Sequence, residues 1–281
     1  MTRYAQREFE FTSADFAFIA ATVGRCAGIA LGAHKRNLVY GRLARRLRAL
    51  QLDSFEQYCE LLKSPEGEGE IGLMVNAITT NMTSFFRESH HFDHLRGLLE
   101  RRAASRTPGT QPRLRIWSAG CSTGEEPYSI AMTLREAFKD QLAGWDIRIL
   151  ATDIDTHVLA TAQAGIYPDE RSSAIPASYR VRYTEGGSGE TLVMSATLRS
   201  LIAFKPLNLL EDWPMKGPFD AIFCRNVVIY FDKPTQRRLF NRFADILRPD
   251  GWLYIGHSET LFRVCDRFAP AGRTVYRKTD R

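Results

Sequence analysis

Apolar positions recur at helical spacing through roughly the first 80 residues, and past residue 112 short apolar runs alternate with longer amphipathic stretches. The first pattern predicts helices and no strand over residues 13–80. One covers Phe16–Val23 behind Ser13 and Asp15 as caps, one follows Ser54 as a cap, and one runs through Ile71–Ile78 after the polar break Lys63-Ser64-Pro65-Glu66-Gly67-Glu68-Gly69. Between His34 and Leu50, Val39, Leu43, Leu47 and Leu50 fall on one helical face. Arg101 to Pro112 is rich in Arg, Ser, Thr, Pro and Gly and reads as an exposed connection. The second pattern predicts strands at Leu114–Trp117, Ile147–Ala151, Phe219–Cys224 and Trp252–Ile255, with helices at about 125–139, 155–164 and 234–247. Such alternation indicates parallel βαβ units. It lapses between Gly165 and Pro206, where β-prone pieces (Arg180–Tyr183, Thr191–Ser195, Ile202–Phe204) and the loop Glu185-Gly186-Gly187-Ser188-Gly189 predict a small antiparallel insertion.

Composition changes this picture little. No apolar run approaches the roughly 18–20 residues of a membrane span, and the first eleven residues lack an apolar leader core. The five cysteines (Cys26, Cys59, Cys121, Cys224, Cys265) are far apart and include no C-x-x-C pair, which predicts reduced thiols in a cytoplasmic protein. The net charge of +6 suits an acidic partner, whether nucleic acid, anionic membrane or protein. Much of it has an address. His34–Leu50 carries Lys35, Arg36, Arg42, Arg45, Arg46 and Arg48 and no acid.

Candidate chemistry begins at the turn Ser118-Ala119-Gly120-Cys121-Ser122-Thr123-Gly124-Glu125-Glu126 after the first strand. Small residues there let backbone approach a ligand closely, but the spacing is not the G-x-G-x-x-G of dinucleotide sites. Two carboxylates at the helix start would repel a pyrophosphate and suit an ammonium, or they simply favour the helix N-terminus. About 30 residues on, Asp153 ends the second strand, where a carboxylate can accept both ribose hydroxyls of an adenosine. Asp155 reads as the cap of the next helix. His90, His91 and His94 include an i, i+4 pair without an evident third ligand, and no metal is expected.

Several strings are more specific. Thr79-Thr80-Asn81-Met82-Thr83-Ser84-Phe85-Phe86-Arg87-Glu88, Trp117 to Ala131, Ala151-Thr152-Asp153-Ile154-Asp155, Leu207-Asn208-Leu209-Leu210, Phe219 to Phe231 and Gly256-His257-Ser258-Glu259 resemble the chemotaxis receptor glutamate methyltransferase family (CheR type) from about residue 12 onward. The resemblance implies an all-helical N-terminal docking domain (12–79) and an α/β, class I Rossmann-like methyltransferase domain (80–281). The latter would include a connecting segment (80–112) and an inserted antiparallel β-subdomain (166–205). It implies S-adenosyl-L-methionine as cofactor and S-adenosyl-L-homocysteine as product. By the same resemblance Asn81, Thr83, Arg87, Glu125, Glu126, Asp153, Asn208, Leu209, Arg225 and Asn226 would contact the cofactor, and Arg87 and Tyr230 would lie near the transferred methyl group.

The implied substrate is the cytoplasmic methylation helix of a chemoreceptor, modified on glutamate by a monomer that neither binds nucleic acid nor inserts in membrane. A glutamate carboxylate is already ionised at neutral pH, so no catalytic base is needed. Arg42, Arg45, Arg46 and Arg48 would dock the acidic receptor helix, against the plainer reading of a solvated basic face. A nucleic-acid methyltransferase and an inactive receptor-array adaptor are the rival readings. Cys224 lacks the preceding proline of a cytosine-C5 nucleophile.

Overall fold

A computed structural model describes residues 7–107, 109–186 and 190–279. The chain divides into two compact units, residues 1–80 with Tyr230–Asp232, and residues 81–229 with 233–281.

The first unit is built on α1 (Ser13–Ala27), α2 (Arg36–Leu50), α3 (Phe55–Lys63) and α4 (Glu68–Ile78). Thr12, rather than Ser13, caps α1. Its hydroxyl accepts the Asp15 N–H at 3.1 Å while the Asp15 carboxylate takes the Thr12 N–H at 2.8 Å, a reciprocal box that satisfies two otherwise orphaned donors. Asp15 is thus the partner of the cap. Ser54 caps α3 by accepting the Gln57 N–H. On α2, Val39, Leu43 and Leu47 are fully buried, so the predicted apolar face is the packed one.

The second unit opens with α5 (His90–Ala104), which takes in Arg101–Ala104 of the expected connection. There follow β1 (Arg113–Ala119), α6 (Glu125–Phe138), β2 (Asp146–Asp153), α7 (Thr156–Ala164) and β3 (Ile166–Pro168). Next come α8 (Ala177–Tyr183), β4 (Thr184–Gly186), β5 (Thr191–Met194), α9 (Ala196–Arg199) and β6 (Ile202–Pro206). β7 (Phe219–Cys224), α10 (Lys233–Ile246), β8 (Leu247–Ile255), β9 (Phe268–Gly272) and β10 (Val275–Lys278) complete it. Seven strands form one sheet in the order β6-β2-β1-β7-β8-β10-β9. Neighbours are parallel from β6 to β8, and β10 runs antiparallel to both β8 and β9. Strand order reverses between β1 and β7, and ligands of open α/β sheets bind in the crevice at such a point, outside the carboxyl ends of the strands.

Two expectations are corrected in the insertion. Arg180–Tyr183 is helical, because Pro176 precedes α8 and puts Tyr179 and Tyr183 one turn apart with ring centroids at 6.1 Å, leaving Val181 exposed. Ile202–Phe204 belongs to the main sheet, pairing in parallel with Ile149–Ala151. The small antiparallel sheet is β3-β5-β4. Of its expected loop, Gly187, Ser188 and Gly189 lie outside the described residues. Trp117 of β1 packs on Trp213, Phe219 and Phe243, while Phe223 and Tyr254 stack at 4.1 Å across β7 and β8. This packing fixes the strand ends that carry the site.

Candidate cofactor site

After β1 the chain turns through Gly120 (φ 93°), Ser122 (φ 49°) and Gly124 (φ 100°). A Cβ on Gly124 would stand 2.7 Å from the Tyr167 hydroxyl and 2.8 Å from the Ala162 Cβ, so only glycine fits this left-handed position. The turn is tied to the end of β2. Gly120 and Cys121 N–H groups donate to the Thr152 carbonyl at 2.8 and 2.9 Å, and Ser122 N–H donates to Asp153 Oδ2 at 2.8 Å. Asp155 N–H donates to Asp153 Oδ1 at 3.0 Å. The Asp153 carboxylate is thereby oriented by two backbone donors, with a lone pair on each oxygen left over. Burial pushes it above the usual carboxylate range, against those N–H bonds. Asp155 caps α7 through the N–H groups of His157 and Val158.

Around this frame sit most of the expected contacts. Asn81 donates to Asp155 Oδ2 at 2.7 Å and its carbonyl accepts the Ser122 hydroxyl at 3.0 Å, so this residue is held to both strand ends. The Thr83 hydroxyl makes no hydrogen bond among the described residues. Leu207 N–H donates to the Asp153 carbonyl at 2.9 Å, which brings Asn208 and the buried Leu209 next to β2. Asn208 folds back on Leu210 N–H and Glu211. Asn226, in left-handed backbone (φ 59°), donates its N–H to Glu259.

The two adjacent glutamates part company. Glu125 has both oxygens partnered, by Thr123 at 2.7 Å and Arg171 at 2.9 Å, and its side chain is 1% exposed. It ties the turn to the segment after β3. Glu126 accepts from Ser118 Oγ at 2.7 Å and from Arg225 Nη1 at 3.0 Å. Burial pushes the Glu126 carboxyl up, while Arg225 and Ser118 hold it down. Arg225, 3% exposed, also donates to the Arg87 carbonyl and lies 3.5 Å from Glu88 Oε2. Arg87 itself reaches back to the Met82 carbonyl at 2.9 Å.

Glu88 and Glu259 were not anticipated as separate contributors. Both lie within the strings quoted above, and their burial is what the strings could not convey. Glu259 gathers the N–H groups of Asn226, Gly256 and Ile229 and so shapes the loop after β7. Burial alone would raise Glu88, but the His257 hydrogen bond and the Arg225 charge outweigh it and hold the carboxyl at about 2. Glu88, not His94, is the third group near His90 and His91, with one ligand atom from each within 4.8 Å. The Arg225 guanidinium beside Glu88 opposes a cation there. His94 bonds the Tyr254 hydroxyl. All five cysteines are free, and burial pushes the Cys224 thiol up, which disqualifies it as a nucleophile.

Tyr230 and the docking arginines belong to the first unit. The Tyr230 carbonyl accepts the Ala30 N–H at 3.0 Å, and Lys35 Nζ lies 5.5 Å from its ring centroid. Three of the four arginines are engaged. Arg42 closes the end of α4 through the carbonyls of Ile78 and Thr79, Arg46 forks onto Glu70, and Arg48 forks onto Glu8. Arg45 is exposed and makes no hydrogen bond or ion pair among the described residues. No helix there is long and apolar enough to cross a membrane.

A sheet wound outward from its first strand, with an antiparallel strand slipped in near one edge, joined to a SAM binding domain match over residues 81–277, is that of an S-adenosylmethionine-dependent methyltransferase. The chain belongs to the CheR methyltransferase family, matching its all-alpha domain over residues 14–79 and its SAM binding domain over 81–277. It is 46% identical over 279 residues to chemotaxis protein methyltransferase 2 of Pseudomonas aeruginosa, covering 97% of this chain and 96% of that one. It is 45% identical over 269 residues to the chemotaxis protein methyltransferase of Escherichia coli, covering 94% and 91%. A probable chemotaxis protein methyltransferase of Rhizobium etli is 44% identical over 259 residues, covering 90% and 95%.

Proposed function

We propose that the protein transfers the methyl group of S-adenosylmethionine to glutamate side chains on the cytoplasmic methylation helices of chemoreceptors, giving glutamate methyl esters and S-adenosylhomocysteine. The carrying observation is the buried trio Glu88, Arg225 and Glu126, two carboxylates around one guanidinium with a net negative charge. Such a trio suits the ammonium of an amino-acid-bearing cofactor, which Glu126 would receive. Asp153, with its two oriented oxygens, would take the ribose hydroxyls. Asn81, Thr83, Asn208, Leu209 and Asn226 would line the adenosyl half.

When bound, the cofactor supplies an electrophilic methyl on a sulfonium. The acceptor carboxylate, ionised above its ordinary pKa of about 4.3, attacks in line without surrendering a proton. Arg87 would orient that carboxylate and Tyr230 would shape the transfer position. The chemoreceptor substrate is supported by the names of the relatives, and a monomer acting in the cytoplasm is part of the same reading. Arg42, Arg45, Arg46 and Arg48 would dock the acidic receptor helix, with Arg45 the one of the four that makes no hydrogen bond or ion pair among the described residues.

Label transfer from methyl-tritiated cofactor to a receptor cytoplasmic fragment tests the reading. The expected product releases its label as volatile methanol in mild base. A base-stable label, or undiminished labelling of a fragment whose methylation-site glutamates are replaced by alanine, would refute glutamate ester formation.

A further inference from the structure

Resting on the assignment of Glu126 to the cofactor ammonium, we propose that Glu88 and His257 are positioning residues that act on that end of the cofactor through Arg225. Glu88 sits in left-handed backbone (φ 58°) immediately before α5, two residues after Phe86 (φ 50°), whose N–H is pinned by the Ser129 hydroxyl at 2.9 Å. Its Oε1 accepts the His257 backbone N–H at 3.2 Å and pairs with the ring Nδ1 at 2.9 Å. Its Oε2 faces Arg225 Nη2 at 3.5 Å and His91 Nδ1 at 3.7 Å. Arg225 is therefore held from one side by Glu88, while Nη1 donates to Glu126 and Nη2 to the carbonyl of Arg87.

One guanidinium is shared between two buried carboxylates, and the incomplete side is that of Glu88, since both Glu126 oxygens are hydrogen-bonded. Glu88 Oε2, His91 Nδ1 and Arg225 Nε all lack a hydrogen-bond partner among the described residues. That incompleteness is the point of the arrangement. While Glu88 claims part of the Arg225 charge, Glu126 keeps an excess of negative charge that a ligand ammonium can neutralise. Once Glu88 is made neutral, Arg225 belongs to Glu126 alone, and the ammonium site is weakened before any ligand arrives. The chain of contacts runs from the half-exposed His257, after β8, to the start of α6, so the loop after β8 bears on cofactor affinity without touching the cofactor.

The test compares S-adenosylhomocysteine with 5′-methylthioadenosine, which keeps the adenosine and sulfur but lacks the amino-acid end. In Glu88→Gln the affinity for S-adenosylhomocysteine is expected to fall about tenfold, the worth of one charge-assisted contact, with 5′-methylthioadenosine affinity unchanged. His257→Ala, a milder change at a half-exposed site, is expected to lower S-adenosylhomocysteine affinity about two- to threefold with the same selectivity. It decides the matter should Glu88→Gln fail to fold. Equal weakening of both ligands would reduce Glu88 to a structural role and overturn the proposal, as would wild-type affinity for S-adenosylhomocysteine in both variants. Glu126→Gln separates the two layers. If it leaves S-adenosylhomocysteine binding intact, the ammonium assignment itself fails; if it weakens that ligand selectively while Glu88→Gln and His257→Ala do not, only the positioning proposal fails.

Discussion

Replacing Arg225 with methionine removes the cation between two buried carboxylates while keeping most of the side-chain volume. Glu126 and Glu88 have side chains only 10% and 11% exposed, and neither has a second arginine or lysine in its ion pairs among the described residues. Breaking a buried pair by deleting one partner costs about 3–5 kcal/mol, because the remaining charge stays desolvated. For a chain of this size each kcal/mol lowers the melting temperature by about 2–4 °C, so the transition should fall by about 10 °C. The deficit must also depend on pH. Burial already raises Glu126, and losing Arg225 raises it further, so its ionised form destabilises the native state above the folded pKa. As pH falls through that value the carboxyl takes up a proton and the deficit shrinks. Calorimetric melts of wild type and variant in mildly alkaline and mildly acidic buffers measure both effects. A variant melting like wild type in alkaline buffer, or a deficit that grows on acidification, would refute the electrostatic reasoning.

Four further outcomes are expected. His91 is fully buried, and burial first, then the charges of Arg225 and His90, hold its imidazole at about 3 against an ordinary 6.5. The native state therefore binds fewer protons than the unfolded one, so stability is complete above 6.5 and is lost as pH falls toward 3, at about 1.4 kcal/mol per pH unit. His91→Gln should flatten that slope in urea titrations across the window, and an unchanged slope would assign the acid sensitivity elsewhere. Gly124→Ala should cost about 3 kcal/mol or more in denaturant unfolding, since it combines a left-handed backbone with a Cβ driven against Tyr167 and Ala162. Arg45→Glu should slow receptor methylation at low salt and converge toward wild type as salt screens the charge, with cofactor affinity untouched. Arg46→Glu, which sets two acids face to face at Glu70, should instead lower the stability of the helical unit.

The alternation of apolar runs made the parallel part of the sheet legible, because β1, β2, β7 and β8 are buried strands flanked by amphipathic helices. It failed where periodicity and environment disagree. Arg180-Val181-Arg182-Tyr183 alternates like a strand, yet its valine faces solvent on a helix. The hairpin β9–β10 escaped notice because its first strand, Phe268–Gly272, is exposed beyond Phe268 and carries no apolar face. Within the site, Asp153 could be placed by its position at a strand end. Glu125 and Glu126 were indistinguishable in sequence, since only the fold reveals that Arg171 meets one and Arg225 the other. The internal partners of the basic run of α2 were hidden for the same reason. Arginines that look free along the chain find Glu8, Glu70 and helix-end carbonyls from segments 30 to 40 residues away or nearer.

The ends of β1, β2 and β7 are proposed to carry a pocket for the adenosylated methyl donor. Titration calorimetry of the full chain with S-adenosylhomocysteine tests it most directly. Saturable binding at a single site, abolished or strongly weakened by Asp153→Ala in a variant that still melts cooperatively, is the predicted result. Absence of binding by the folded wild-type protein, or full affinity in the Asp153→Ala variant, would contradict the account.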